Sequence, residues 1–132
     1  MPWVTYTDPE LAHVGQGEAA AKLNDPSAKS IKWPFSENDR AQAERATEGF
    51  IKAVVGKGGV IVGGTIVGRH AGELILPWVL AVQKRLNVRD MSIIAPYPTL
   101  GEVSKRVAGA WFTPQLFSNR TRKVVSWMQR LP

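Results

Sequence analysis

Two periods divide this chain. In the first half, apolar and β-branched residues come in short runs broken by Gly, Pro and Asp; in the second half they recur at helical spacing. Residues 4–7, Val-Thr-Tyr-Thr, read as a strand. Asp8-Pro9 interrupts it, and extended structure resumes from Glu10 to Val14. Residues 17–23 form an alanine-rich pattern that predicts a short helix, ended by Asp25-Pro26. Residues 29–33, Lys-Ser-Ile-Lys-Trp, alternate and read as a half-buried strand closed by Pro34. A polar bend over 36–39 leads into a helical turn over 40–44. Residues 49–55 and 60–67 read as the two strands of a hairpin around Gly56-Lys57-Gly58-Gly59. Gly63-Gly64 inside the return strand predicts a bulge or a close backbone approach.

From Ala71 to Leu86 the apolar positions 71, 74, 75, 78, 79, 82 and 86 describe one helical face. Pro77 is expected to kink that helix, and Asn87 to take a left-handed cap. The stretch Ala95-Pro96-Tyr97-Pro98-Thr99 cannot be helical, because Ala95 and Tyr97 each precede a proline. Thr99 then reads as an N-cap with Glu102 as its capping-box partner, opening a helix whose stripe is Leu100, Val103, Val107 and Trp111. The expected result is a rigid turn presenting one phenol, Tyr97, at the mouth of a helix. Thr113-Pro114 predicts a further helix start, and Ser118 caps a last helix. Strands lead and helices follow, so the predicted class is α+β, an antiparallel sheet backed by helices on one face.

Composition narrows the chemistry. The 132 residues fit one domain, 1–132, and 44% hydrophobic content suffices for a core. Cysteine is absent, which excludes a disulfide framework, a thiolate metal site and a cysteine nucleophile within this chain. The N-terminus lacks the pattern of a secretory signal, and the apolar run 74–82 is far shorter than the roughly 20 residues that span a bilayer, so a cytoplasmic location is expected. The net charge of +6 raises nucleic acid as a partner, but the basic residues are scattered apart from a loose cluster at Arg120, Arg122, Lys123 and Arg130. The glycines do not match a phosphate loop: Ile61 occupies the third glycine position, and no Gly-Lys precedes Ser or Thr. His13 and His70 have no second ligand at metal spacing, so no metal site is expected and both read as surface or capping residues. Asp8 and Glu10 lie close in sequence, which alternation along a strand explains without chemistry. Among the large apolar residues of the second half (Trp78, Trp111, Phe112, Phe117 and Trp127), several are expected to face a partner.

Three segments carry a family resemblance. Tyr97-Pro98-Thr99 with Glu102 resembles the His-Pro-Thr…Glu signature in the C-terminal dimerisation domain of the FAD-dependent pyridine nucleotide-disulfide oxidoreductases, the group of glutathione reductase, dihydrolipoamide dehydrogenase and mercuric reductase. Residues 7–15, Thr-Asp-Pro-Glu-Leu-Ala-His-Val-Gly, resemble the family's Thr-x-Pro-Glu-x-Ala-x-Val-Gly segment. Gly63-Gly64-Thr65-Ile66-Val67-Gly68 followed by Ala71-Gly72-Glu73-Leu74 is the third, and all three stand in family order.

The resemblance implies a homodimer with an isologous two-fold interface. It implies catalytic roles for Tyr97 and Glu102, and contact of Tyr97 and Pro98 with the partner subunit's FAD. In the family the signature histidine serves as acid/base for a redox-active thiol, and the glutamate orients it. Here Tyr97 takes that place, and a phenol titrates near pH ~10, so it is a poor base at neutral pH but a competent hydrogen-bond donor. That departure suits a branch reducing a metal ion or another acceptor instead of a disulfide. The dinucleotide fingerprints and the cysteine pair of the full enzyme are absent. The chain therefore reads as a fragment, inactive alone, of a flavoprotein whose N-terminal domains bind FAD and NAD(P)H; no cofactor is expected on the fragment itself. A free-standing self-association module and a basic nucleic-acid binder are the alternatives.

Overall fold

The structure, a computed structural model, describes residues 1–116 and 118–128. In chain order the elements are β1 (Trp3–Thr5), β2 (Glu10–Gly15), α1 (Glu18–Asn24), β3 (Lys29–Pro34), α2 (Asp39–Ala43), β4 (Phe50–Val55), β5 (Ile61–Gly68), α3 (Ala71–Leu74), α4 (Leu76–Lys84), α5 (Glu102–Leu116) and α6 (Asn119–Met128). The strands make one sheet in the order β1-β2-β5-β4-β3, with every pairing antiparallel. The class is α+β, as the pattern predicts.

Alternation along the strands selects the buried face. Ala12, Val14, Ile51, Ala53, Ile61 and Ile66 point to the helices and are almost fully buried. Trp78 of α4 lies at the centre of this core with no exposed surface. Its indole packs over Gly64, where an added Cβ would stand 3.3 Å from the ring. Its Nε1 donates to Ser104 Oγ at 3.0 Å, tying α4 to α5. Val103, Val107 and Ala108 of α5 complete the layer, with Trp111 and Phe112 packed at its margin. A smaller cluster, Ala21, Ala28 and Val54, puts α1 over one end of the opposite face. The rest of that face carries the row Trp3, His13, Thr65, Lys52 and Lys32 across all five strands.

The β4–β5 hairpin forms as expected, with a bulge beside the glycine pair and a close backbone approach at Gly63. The ladder slips between Val54 and Val55, so Val62 is the extra residue of a bulge. Gly63 is the close approach: a Cβ there would sit 2.0 Å from the Gln16 carbonyl oxygen.

Several boundaries differ from expectation, each for a local reason. β1 ends at Thr5, because Tyr6 and Thr7 belong to the reversal before β2, where Thr7 Oγ1 donates to the Pro9 carbonyl. The expected single helix over 71–86 is divided at Ile75 into α3 and α4, and Pro77 takes the first turn of α4, where no N–H is needed. The left-handed cap is Arg85 (φ 53°), while Asn87 caps the tight turn Val88–Met91 in a capping box with Asp90. Pro114 lies inside α5 and does not begin a new helix. There Thr113 Oγ1 turns back to the Gly109 carbonyl at 3.4 Å. Ser118 immediately precedes α6, where its capping role was expected. Among the described residues no helix is long and apolar enough to cross a membrane.

Candidate functional site

The turn from Ala95 to Thr99 leads into α5 without the expected capping box. Thr99 Oγ1 donates to the Pro96 carbonyl at 2.8 Å, closing the turn on itself, and the helix starts at Glu102. The Tyr97–Pro98 peptide bond is cis. Glu102 is buried to 6% exposure and pairs with Arg106 one turn on, Oε1 to Nη2 at 3.2 Å. Tyr97 is 66% exposed and Pro98 is exposed beside it.

The phenol has a partner that sequence reasoning missed. Tyr97 Oη donates to Asp39 Oδ2 at 2.7 Å, across 58 residues of sequence. Asp39 is the first residue of α2, and its neighbour Asn38 fixes that helix to the turn. The Asn38 side chain is 2% exposed. Its Oδ1 accepts from Ala41 N at 2.9 Å, and its Nδ2 donates to the Thr99 carbonyl at 3.1 Å. No spacing in the sequence joins residues 38–39 to 97–99, because the link is made only when α2 folds under the turn.

The electrostatics follow from that contact. The Asp39 hydrogen bond, and then its charge, hold the Tyr97 phenol above its ordinary value. Burial and the Glu102 carboxylate push the same way, and Arg106 opposes them. Tyr97 therefore stays neutral through the physiological range, with its proton directed at Asp39. No direct hydrogen bond joins Tyr97 to Glu102.

An apolar groove of about 280 Å³ runs beside the turn, lined by Leu74, Pro77, Met91, Ile93, Ala95 and Pro96 among others. Ile93 and Ile94 stand exposed at 62% and 96%, and Leu76 and Leu80 are exposed on α4. The outward apolar residues are thus mostly not those singled out in sequence. Trp78 is core, Trp111 and Phe112 pack against the core, and Phe117 lies outside the described residues; Trp127 alone is exposed as expected.

The remaining candidates have structural employment. His13 is half-buried on the sheet face opposite the main helix layer: its Nε2 meets the Gly15 carbonyl at 3.1 Å and its Nδ1 meets Thr65 Oγ1 at 2.9 Å, with the Trp3 ring at 5.6 Å. His70 is exposed at the start of α3. Glu10 Oε2 accepts from Gly72 N at 3.0 Å instead of pairing with Asp8. Arg120, Arg122 and Lys123 lie on α6, and Arg130 lies outside the described residues. Among the described residues no group of three metal-binding side chains converges.

Comparison with known proteins agrees with this geometry. Residues 1–108 match the model of the pyridine nucleotide-disulphide oxidoreductase dimerisation domain. Dihydrolipoyl dehydrogenase of Geobacillus stearothermophilus is 39% identical over 110 residues, 82% of this chain and 23% of the relative. The mitochondrial dihydrolipoyl dehydrogenase of Caenorhabditis elegans is 33% identical over 121 residues, 90% of this chain and 24% of the relative. In structure, LpdA from Mycobacterium tuberculosis superposes with a TM-score of 0.78 at 32% identity, over 84% of this chain and 25% of that one. RclA from Escherichia coli, a flavoprotein disulfide reductase, has the same fold, with a TM-score of 0.79 at 20% identity over 83% of this chain and 25% of RclA. The chain thus spans about a quarter of the length of the relatives it matches. Fold, motif order and comparison converge: this chain belongs to the pyridine nucleotide-disulphide oxidoreductase dimerisation-domain family.

Proposed function

We propose that this chain is the dimerisation domain of a cytoplasmic FAD- and NAD(P)H-dependent oxidoreductase, and that it presents Tyr97 and Pro98 to the flavin site of the partner subunit. The observation that carries this reading is the exposed phenol on a braced turn beside an apolar groove. A group meant only for its own core would be buried. Tyr97 instead projects from a turn held by Asn38, Thr99 and Asp39, and the exposed Ile93, Ile94, Leu76 and Leu80 supply apolar surface of the kind a second subunit covers.

The chain's own residues fit a flavin held by another domain, not one held here. Its glycine-rich segment is a hairpin turn and a bulged strand inside the sheet, with no dinucleotide fingerprint entering a helix. The N-terminal domains of a longer chain would bind FAD and NAD(P)H, and the flavin supplies the two-electron redox chemistry when bound. Tyr97 and Pro98 would orient the reacting group and exclude water from it. Glu102, buried and paired with Arg106, would anchor the start of α5 behind the turn.

In the flavin-loaded parent enzyme, Tyr97→Phe keeps the ring and removes the hydroxyl. Turnover is expected to fall by on the order of tenfold, with FAD content and subunit assembly unchanged. Unchanged turnover would contradict a role for the phenol at the flavin site.

A further inference from the structure

We propose that Asp39 is the positioning residue for Tyr97, holding the phenol so that its oxygen faces the flavin site as a hydrogen-bond acceptor. This inference rests on the reading of Tyr97 as a group facing the partner's flavin.

The geometry has three supports. The Tyr97–Asp39 contact of 2.7 Å is in the range of a charge-assisted O–H to carboxylate bond. The carboxylate is itself held in place, because Asn38 caps α2 through Ala41 N and reaches the Thr99 carbonyl with its other end. The turn that carries Tyr97 is closed independently by Thr99 on Pro96. Both ends of the hydrogen bond are therefore fixed by the backbone around them, which makes the bond a brace and not a chance surface pair.

The consequence is chemical. A phenol whose proton points at a carboxylate has only lone pairs to offer outward. The sequence suggests a hydrogen-bond donor at this position; the structure turns the group round. Asp39 and, more weakly, Glu102 favour the neutral phenol, so no phenolate forms near neutral pH. The pair suits ligands that bring a hydrogen to the site, such as a protonated thiol, a hydroxyl or an ammonium group, and disfavours bare anions.

Two measurements test this. The chain has 2 tyrosines, so in a Tyr6→Phe background the ultraviolet phenolate titration reports Tyr97 alone. Asp39→Ala is expected to lower that titration towards pH ~10, the value of a free phenol, and Asp39→Asn to lower it also, since both remove the charge. An unmoved titration overturns the proposal.

In the flavin-loaded parent enzyme, Asp39→Ala is expected to reduce turnover about tenfold. Asp39→Asn, which keeps an acceptor in the same place, should recover most of it. Asp39→Ala combined with Tyr97→Phe should be no worse than Tyr97→Phe. If Tyr97→Phe impairs turnover and Asp39→Ala does not, the positioning role falls while the wider reading stands. If Tyr97→Phe is silent, both fall together.

Discussion

Gly63 has no room for a side chain. An alanine Cβ there would meet the Gln16 carbonyl oxygen at 2.0 Å, a backbone atom already held by the Gln16 N to Val62 O bond of 2.9 Å. Relief would require separating β2 from β5, which pair along the whole of β2 from Glu10 to Gly15. Gly63→Ala is therefore expected to cost about 3 kcal/mol or more in urea unfolding. Gly58 is the contrast: it has open space around it but a φ of 70°, so Gly58→Ala should cost only about 1 kcal/mol, from backbone strain alone. Equal losses at the two sites would show that the close approach is not what makes Gly63 a glycine. The same scale shows why the non-helical turn at Tyr97 was readable and its bond to Asp39 was not. Tyr97 stands between two prolines, a local signal, whereas Asp39 gains its meaning only from a contact 58 residues away.

At the scale of elements, Asp25 joins two loops that are distant in sequence. Its Oδ2 accepts from Lys57 N in the β4–β5 turn at 2.7 Å, and its Oδ1 accepts from Ser27 N at 2.9 Å and Ser27 Oγ. These bonds, the Ser27 hydroxyl first, hold the carboxyl below its ordinary value of 3.8. A depressed folded-state value contributes stability above pH 3.8 that is lost as the pH falls through the lower folded value. Asp25→Asn should accordingly lower the thermal midpoint near neutral pH, with the difference from wild type shrinking to nothing in strong acid. A difference that persists unchanged in acid would mean the charge is irrelevant to the stitch. The elements themselves were largely legible. The hairpin, the alternating strand before Pro34 and the stripe Val103, Val107, Trp111 all obey simple periods. The misread boundaries involve Pro77, Asn87, Thr99 and Pro114, each a residue with two compatible local uses. The folded chain selects one use of each: Pro77 sits in the first turn of α4 beside Trp78, which packs on Gly64, and the Thr99 hydroxyl closes its own turn while its carbonyl accepts from Asn38.

The whole molecule divides its surface unevenly. One sheet face is covered by α3, α4 and α5, while Ile93, Ile94, Leu76 and Leu80 stand exposed and the phenol of Tyr97 is exposed on the turn beside the apolar groove. The fold class and the family were legible because three motifs keep their order along the chain. The orientation of the phenol was not, because it depends on how α2 seats beneath the turn. The most direct measurement replaces Tyr97 with the photoreactive p-benzoylphenylalanine in the flavin-loaded parent enzyme, assembled from isotopically light and heavy subunits. After irradiation, cross-linked peptides joining residue 97 of one subunit to the flavin-binding domain of the other, mixed light with heavy, are expected. Cross-links confined within single subunits would contradict delivery of this residue across the dimer.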